Sequence, residues 1–219
     1  MPLTQQHLQS VDRIAKSRLV AIIRLNNKED VAGVIACLVA GGITTLEVTA
    51  NTPGYCEAIA EARAKYPNVL VGAGTITNTE RAQQAIDAGA QFIVTPNTEA
   101  SVITLAHAHN LPVLMGALTP TDIAKAISLK ADFIKIFPAG AFGIKYFKDI
   151  QGPFSDVPFM PVGGVNINNI AQWFEAGAIG VGVGNDLTQA VNTQQEKNDL
   201  IQHVKNYLSK IPNTNQKEA

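Results

Sequence analysis

The 219-residue chain has little of several things, and each shortage closes off a class of protein. Only two cysteines are present, Cys37 and Cys56, so no disulfide framework can be built. Cys37 sits in Val-Ile-Ala-Cys-Leu-Val, where a free cysteine serves as a small core residue, and it is assigned no chemistry. The chain opens without a charged-then-apolar leader, so a reducing, cytoplasmic setting is expected. Surplus charge is scarce as well: 17 basic residues nearly cancel 18 acidic ones, which leaves no basic face for a nucleic-acid backbone. Any anion site must therefore be local. Apolar runs break at glycine or charge well short of the roughly 18 residues a membrane span needs, so no membrane partner is expected.

What is present is a folded composition, 46% hydrophobic, with a repeating pattern. Short apolar, β-branched runs begin near Leu19, Ile43, Val69, Gln91, Leu111, Asp132, Pro158 and Ala178, each followed by a segment of helical composition. The interval is roughly 20 to 26 residues, enough for one strand, one helix and two tight loops. Strands alternating with helices predict parallel strands with both faces covered. Ala-Gly-Gly42, Ala-Gly89-Ala and Ala-Gly177-Ala place glycine where helix C-terminal caps need it. Eight such units predict a single-domain (β/α)8 TIM barrel, one unit over 1–219, with its barrel core over 19–187. An extra N-terminal helix is expected within 1–17 and a C-terminal helix within 188–211, centred on Thr193 to Ser209, with a frayed tail over 212–219.

In this architecture active sites collect at the C-terminal ends of the strands. Side chains alternate along a strand, so Phe133, Lys135 and Phe137 share one face and Ile134 and Ile136 the other. That points Lys135 into the barrel, where desolvation favours the neutral, nucleophilic amine. The competing reading is a lysine that snorkels out or closes an internal ion pair. By the same alternation Thr45, Glu47 and Thr49 face inward, and a partly dry Glu47 is suited to acid–base work or to being a counter-ion. Arg24 ends the first run on the face of Val20 and Ile22, where it can grip a carboxylate or phosphate or pair with Glu47.

Gly72-Ala-Gly-Thr75 closes the third run, its glycines admitting a ligand and the Thr75 hydroxyl able to donate to an oxygen. Pro161-Val-Gly-Gly164 and Val181-Gly-Val-Gly184-Asn185 close the seventh and eighth, the places where many barrels bind phosphate through backbone N–H groups. The alternative is tight turns without a ligand. The histidines carry no functional signal: His107 and His109 point roughly 160° apart on one helix, and His7 and His203 lie in the terminal helices. With no Cys-x-x-Cys either, a metal site would have to be all-carboxylate, and none is expected.

Leu-Glu47-Val-Thr, Val-Gly-Ala-Gly-Thr75, Ile-Val-Thr-Pro96-Asn, Phe-Ile-Lys135-Ile-Phe-Pro-Ala-Gly and Pro-Val-Gly163-Gly164-Val occur in this order on predicted strand ends. Together they resemble the class I 2-keto-3-deoxy-6-phosphogluconate (KDPG) and 4-hydroxy-2-oxoglutarate (KHG) aldolases, with their 2-keto-3-deoxy-6-phosphogalactonate branch. The resemblance runs from about Leu19 to Leu187. It implies that Lys135 is the Schiff-base lysine and Glu47 the proton carrier, that Thr75 holds the keto-acid carboxylate, and that Gly163, Gly164, Gly184 and Asn185 hold the distal phosphate. Arg24, Asn51, Pro96 and Phe137 complete the implied substrate-binding set. It further implies reversible cleavage of a keto-acid phosphate to pyruvate and an aldehyde, no cofactor, no metal, a homotrimer and a place in Entner–Doudoroff-type carbohydrate metabolism.

Some positions depart from the family pattern. Asn51 stands where gluconate-type members often carry arginine, whereas Asn51-Thr-Pro53 with Arg24 is similar to the galactonate branch. Asn185 replaces a usual serine, and Met115-Gly a usual Pro-Gly. Two alternatives lie outside aldolase chemistry. One is a sugar-phosphate isomerase or synthase using Glu47 as base and Lys135 as electrostatic partner, and the other is a sugar-phosphate sensor with no need for Lys135.

Overall fold

The computed structural model describes residues 4–212, in which strands and helices alternate along the chain. The strands are β1 (Leu19–Ile23), β2 (Thr45–Thr49), β3 (Leu70–Gly74), β4 (Ile93–Val94), β5 (Val113–Ala117), β6 (Phe133–Ile136), β7 (Phe159–Pro161) and β8 (Val181–Val183). All are parallel, in the order β7-β6-β5-β4-β3-β2-β1-β8. A bridge between Val162 and Gly182 brings the two ends of the sheet together, so the strands form a (β/α)8 TIM barrel. Each expected strand is present, β4 as only two residues.

The helices are α1 (Gln5–Ser17), α2 (Lys28–Gly41), α3 (Tyr55–Lys65), α4 (Thr79–Asp87), α5 (Ala100–Ala108), α6 (Pro120–Ser128), α7 (Ala139–Gln151), α8 (Ile170–Glu175) and α9 (Gln194–Ser209). Their ends follow local chemistry. Thr4 caps α1 by accepting from the His7 N–H, and Thr193 with Glu196 forms a reciprocal capping box at the start of α9. Gly42 ends α2 with φ 108°, a left-handed conformation that glycine adopts without steric cost. The expected C-terminal helix over 188–211 is shorter than its segment: residues 188–193 connect β8 to α9 without helix, because the cap falls at Thr193. Apart from Pro212, the expected frayed tail lies outside the described residues.

Two apolar layers follow from strand alternation. Outward residues such as Ala21, Leu46, Val71, Ile134 and Ile136 pack under the helices. Inward residues Val20, Leu70, Phe92, Val94, Leu114, Phe133 and Met160 fill the barrel, joined from below by Ile14, with Val11 and Ala15 beside it. Because Ile14 belongs to α1, that helix closes the floor of the barrel. The interior therefore opens only at the C-terminal rim, which is where the polar inward side chains stand.

Candidate active site

Lys135 and Glu47 occupy the middle of the barrel rather than its edge. Lys135 lies beside Gly116 on one side and Met160 on the other; Glu47 lies between Ile22 and Gly72. They are only 4% and 2% exposed, which leaves neither room to snorkel into solvent. No nitrogen–oxygen contact of 4 Å or less joins them, so they share a field without forming an ion pair. Burial drives the Lys135 ammonium below the ordinary lysine range; Glu47 opposes that shift and Arg24 adds to it. Burial likewise pushes the Glu47 carboxyl up, with Lys135 and then Arg24 pulling back. The result is an amine inclined to be neutral beside a carboxyl inclined to keep its proton. The Phe137 ring lies 5.1 Å from Nζ, placing an aromatic face against any cation formed there.

Glycines make this packing possible in a way periodicity alone does not reveal. A Cβ on Gly74 would lie 2.3 Å from Glu47 Oε1, so the carboxylate occupies the space a side chain there would take. A Cβ on Gly116 would lie 2.3 Å from the Pro96 carbonyl carbon, so the chain after β4 folds across β5 next to Lys135. Thr95 fastens that crossing: its buried hydroxyl donates to the Asn97 carbonyl at 2.7 Å and accepts from the Gly116 N–H at 3.0 Å.

Arg24 stands exposed at the rim and donates to the Thr75 hydroxyl at 3.3 Å, rather than pairing with Glu47. Thr75 has φ 59°, and a β-branched residue in the left-handed region costs of order 1–3 kcal/mol. Such strain persists only where the surroundings impose it, and here it sits at a strand end beside a guanidinium. Asn51 is exposed in the turn after β2 and takes no part in these contacts.

Beside Arg24 at the mouth is a cavity of about 440 Å³, lined by Ile22, Arg24, Lys135, Phe137, Gly163, Gly164, Asn166, Gly184, Asn185, Asp186 and Gln189, among others. Gly163 (φ 86°) and Gly164 (φ 80°) both take the left-handed form, and the Gly163 carbonyl is held by the Gly140 N–H at 2.7 Å. Among the described residues no acceptor engages the N–H groups of Gly163, Gly164, Asn185 or Asp186. Consecutive free N–H groups of this kind make an anion cradle. Asn166, Asp186 and Gln189 line it without any sequence motif having marked them.

A larger groove of about 650 Å³ runs between α2 and α3, away from these groups, and its charged residues, including Lys28, Glu57, Glu61 and Lys65, lie on the outer wall. The histidine reading needs correction. His7 and His107 converge on Asp132 from different helices: His7 Nε2 is 2.6 Å from Oδ1 and His107 Nε2 3.0 Å from Oδ2, with the Val113 N–H donating to Oδ2 at 2.8 Å. Two histidines and a carboxylate thus meet at the base of β6, where only an all-carboxylate cluster had been considered. The histidine that joins His107 is not His109 but His7 of α1, 125 residues from Asp132.

Fold and pocket together define a (β/α)8-barrel enzyme whose reactive groups stand inside the strand ends beside an anion cradle. The chain belongs to the KDPG and KHG aldolase family, whose model matches residues 11–204. It is 34% identical over 163 residues to a 2-dehydro-3-deoxy-phosphogluconate aldolase of Treponema pallidum, covering 74% of this chain and 78% of that protein. It is also 34% identical over 177 residues to the 2-dehydro-3-deoxy-6-phosphogalactonate aldolase of Escherichia coli, covering 80% and 86%. A KDPG aldolase of Legionella pneumophila, crystallised with pyruvate captured at low pH as a covalent carbinolamine, superposes with a TM-score of 0.78 at 27% identity, covering 91% of this chain and 96% of that one. The family makes the protein an aldolase-type lyase.

Proposed function

We propose that this aldolase works through a Schiff base on Lys135, cleaving KDPG-type 2-keto-4-hydroxy acids to pyruvate and an aldehyde such as glyceraldehyde 3-phosphate. The observation that carries the reading is the buried Lys135 amine, with its lowered pKa, facing a buried Glu47 with a raised one. The carbinolamine reported for the Legionella enzyme is the species such an amine forms with pyruvate.

Neutral Lys135 attacks the C2 carbonyl, and protonated Glu47 gives the carbinolamine hydroxyl the proton with which it leaves as water, producing an iminium and a Glu47 carboxylate. Glu47 takes the C4 hydroxyl proton, the C3–C4 bond breaks, and its electron pair moves into the iminium to form an enamine as the aldehyde departs. Glu47 returns the proton to C3, and hydrolysis of the iminium frees pyruvate and the lysine. One carboxyl can serve each of these transfers because burial raises its pKa above that of an ordinary glutamate, which lets it hold a proton and hand it back. Thr75, oriented by Arg24, binds the keto-acid carboxylate, and the cradle at Gly163, Gly164 and Asn185 receives the distal phosphate. Pro96 and Phe137 shape the space between. KHG, which yields pyruvate and glyoxylate, fits the same chemistry, and the galactonate epimer competes for the same pocket. The assembly proposed, on family resemblance, is a cytoplasmic homotrimer.

Borohydride reduction with pyruvate tests the assignment. A mass increment on the Lys135 peptide is expected, with activity abolished in step, and neither should occur in Lys135→Ala. An unlabelled Lys135 would falsify the covalent mechanism and favour electrostatic use of the lysine.

A further inference from the structure

The two loops of the anion cradle are each fastened internally. After β7, the Asn166 N–H donates to Asn169 Oδ1 at 2.9 Å, and Asn169 Nδ2 donates to the Gly164 carbonyl at 2.8 Å. After β8, the Thr188 hydroxyl donates to the Ile22 carbonyl at 2.9 Å and lies 3.1 Å from the Gly184 carbonyl. From outside the barrel, Tyr207 of α9 reaches the second of these loops. Its ring is fully buried and its hydroxyl donates to the Asp186 carboxylate. Asp186 belongs to the β8 loop and borders the cavity. His203, one turn earlier in α9, packs edge-on to Tyr207 at 5.1 Å, with Nε2 3.6 Å from Asp186 Oδ2.

This junction has two physical effects. It holds in place the free N–H groups of Asn185 and Asp186 at the cavity, and a donor array is effective only when its spacing is held before the anion arrives. It also occupies a carboxylate that borders the same cavity, and a released carboxylate there would repel an incoming phosphate. Neither effect reaches Lys135 or Glu47 by direct contact.

We propose that Tyr207 is a positioning residue for the phosphate-bearing end of the substrate, acting through Asp186 and the β8 loop. The inference rests on the aldolase reading above and extends it to a helix outside the barrel. Tyr207→Phe keeps the ring and removes only the donor. For KDPG its KM should rise by about tenfold, the scale of one hydrogen bond to a charged group, with kcat nearly unchanged. The same keto acid without its phosphate should be cleaved as by the wild type. Asp186→Ala removes the acceptor, so in that background Tyr207→Phe should raise the KM for KDPG no further. An unchanged KDPG KM in Tyr207→Phe, an undiminished effect of Tyr207→Phe in the Asp186→Ala background, or equal losses on the two substrates would overturn the proposal. Pyruvate trapping on wild-type Lys135 separates the two levels: trapping without the KM split sinks the Tyr207 role alone, and failed trapping removes the aldolase reading and this role together.

Discussion

Burial and mutual attraction act in opposite senses on Lys135 and Glu47, and burial prevails for both. The folded chain therefore binds fewer protons at Lys135 than the unfolded chain does, so that contribution to stability rises with pH between the lowered and ordinary lysine values. At Glu47 the folded chain holds more protons, and its contribution falls as pH rises from the ordinary glutamate value to the raised one. In the proposed mechanism the same two shifts shape catalysis, since attack needs the free amine and the return of a proton to C3 needs a protonated carboxyl. In Glu47→Gln, turnover should fall by about 10²–10⁴-fold while borohydride trapping of pyruvate persists; equal loss of both would give Glu47 a role in tuning the lysine instead. Gly74→Ala should lower kcat about 100-fold at nearly unchanged trapping, because its methyl would displace the Glu47 carboxylate. Both charged residues could be read from the chain because a charge on the inward phase of an apolar strand is conspicuous. Gly74 and Gly116 were not assigned these roles, since alternation tells which face a position takes but not what approaches it from a neighbouring strand.

At the scale of elements, α1 and β6 are tied together under the barrel. Burial alone would raise the Asp132 carboxyl, but hydrogen bonds from His107, the Val113 backbone and His7 outweigh it and hold it below the ordinary carboxylate range. A depressed carboxyl contributes stability that is present above its unfolded value and lost as pH falls through its folded value. Asp132→Ala leaves two imidazoles and a backbone N–H without their acceptor, and a loss of about 3–5 kcal/mol is expected in urea unfolding at neutral pH. The gap to the wild type should close on acidification through the depressed Asp132 value; a gap independent of pH would assign the loss to packing alone. Helix caps at Gly42 and Thr193 were legible because they depend on neighbours in sequence. The His7–Asp132–His107 junction was not, because its members are distant in sequence and each looks unremarkable in its own helix.

For the whole molecule, the near balance of charge still says nothing about where the charges are placed. No helix among the described residues is long and apolar enough to cross a membrane. The barrel was legible from eight evenly spaced runs, since closure of parallel strands leaves few other ways to cover both faces. What the spacing does not encode is assembly. Light scattering on the purified protein should give the mass of three 23.3 kDa chains, and the mass of a single chain would remove the trimer. The helix across the barrel floor has a further consequence for traffic. A vessel sealed at one end has one doorway, and under the proposed mechanism the pyruvate fragment, tethered to Lys135 in the interior, would stand behind the aldehyde fragment at the glycine-lined mouth. Departure would then be sequential, aldehyde first, and in the reverse direction pyruvate would enter before its partner.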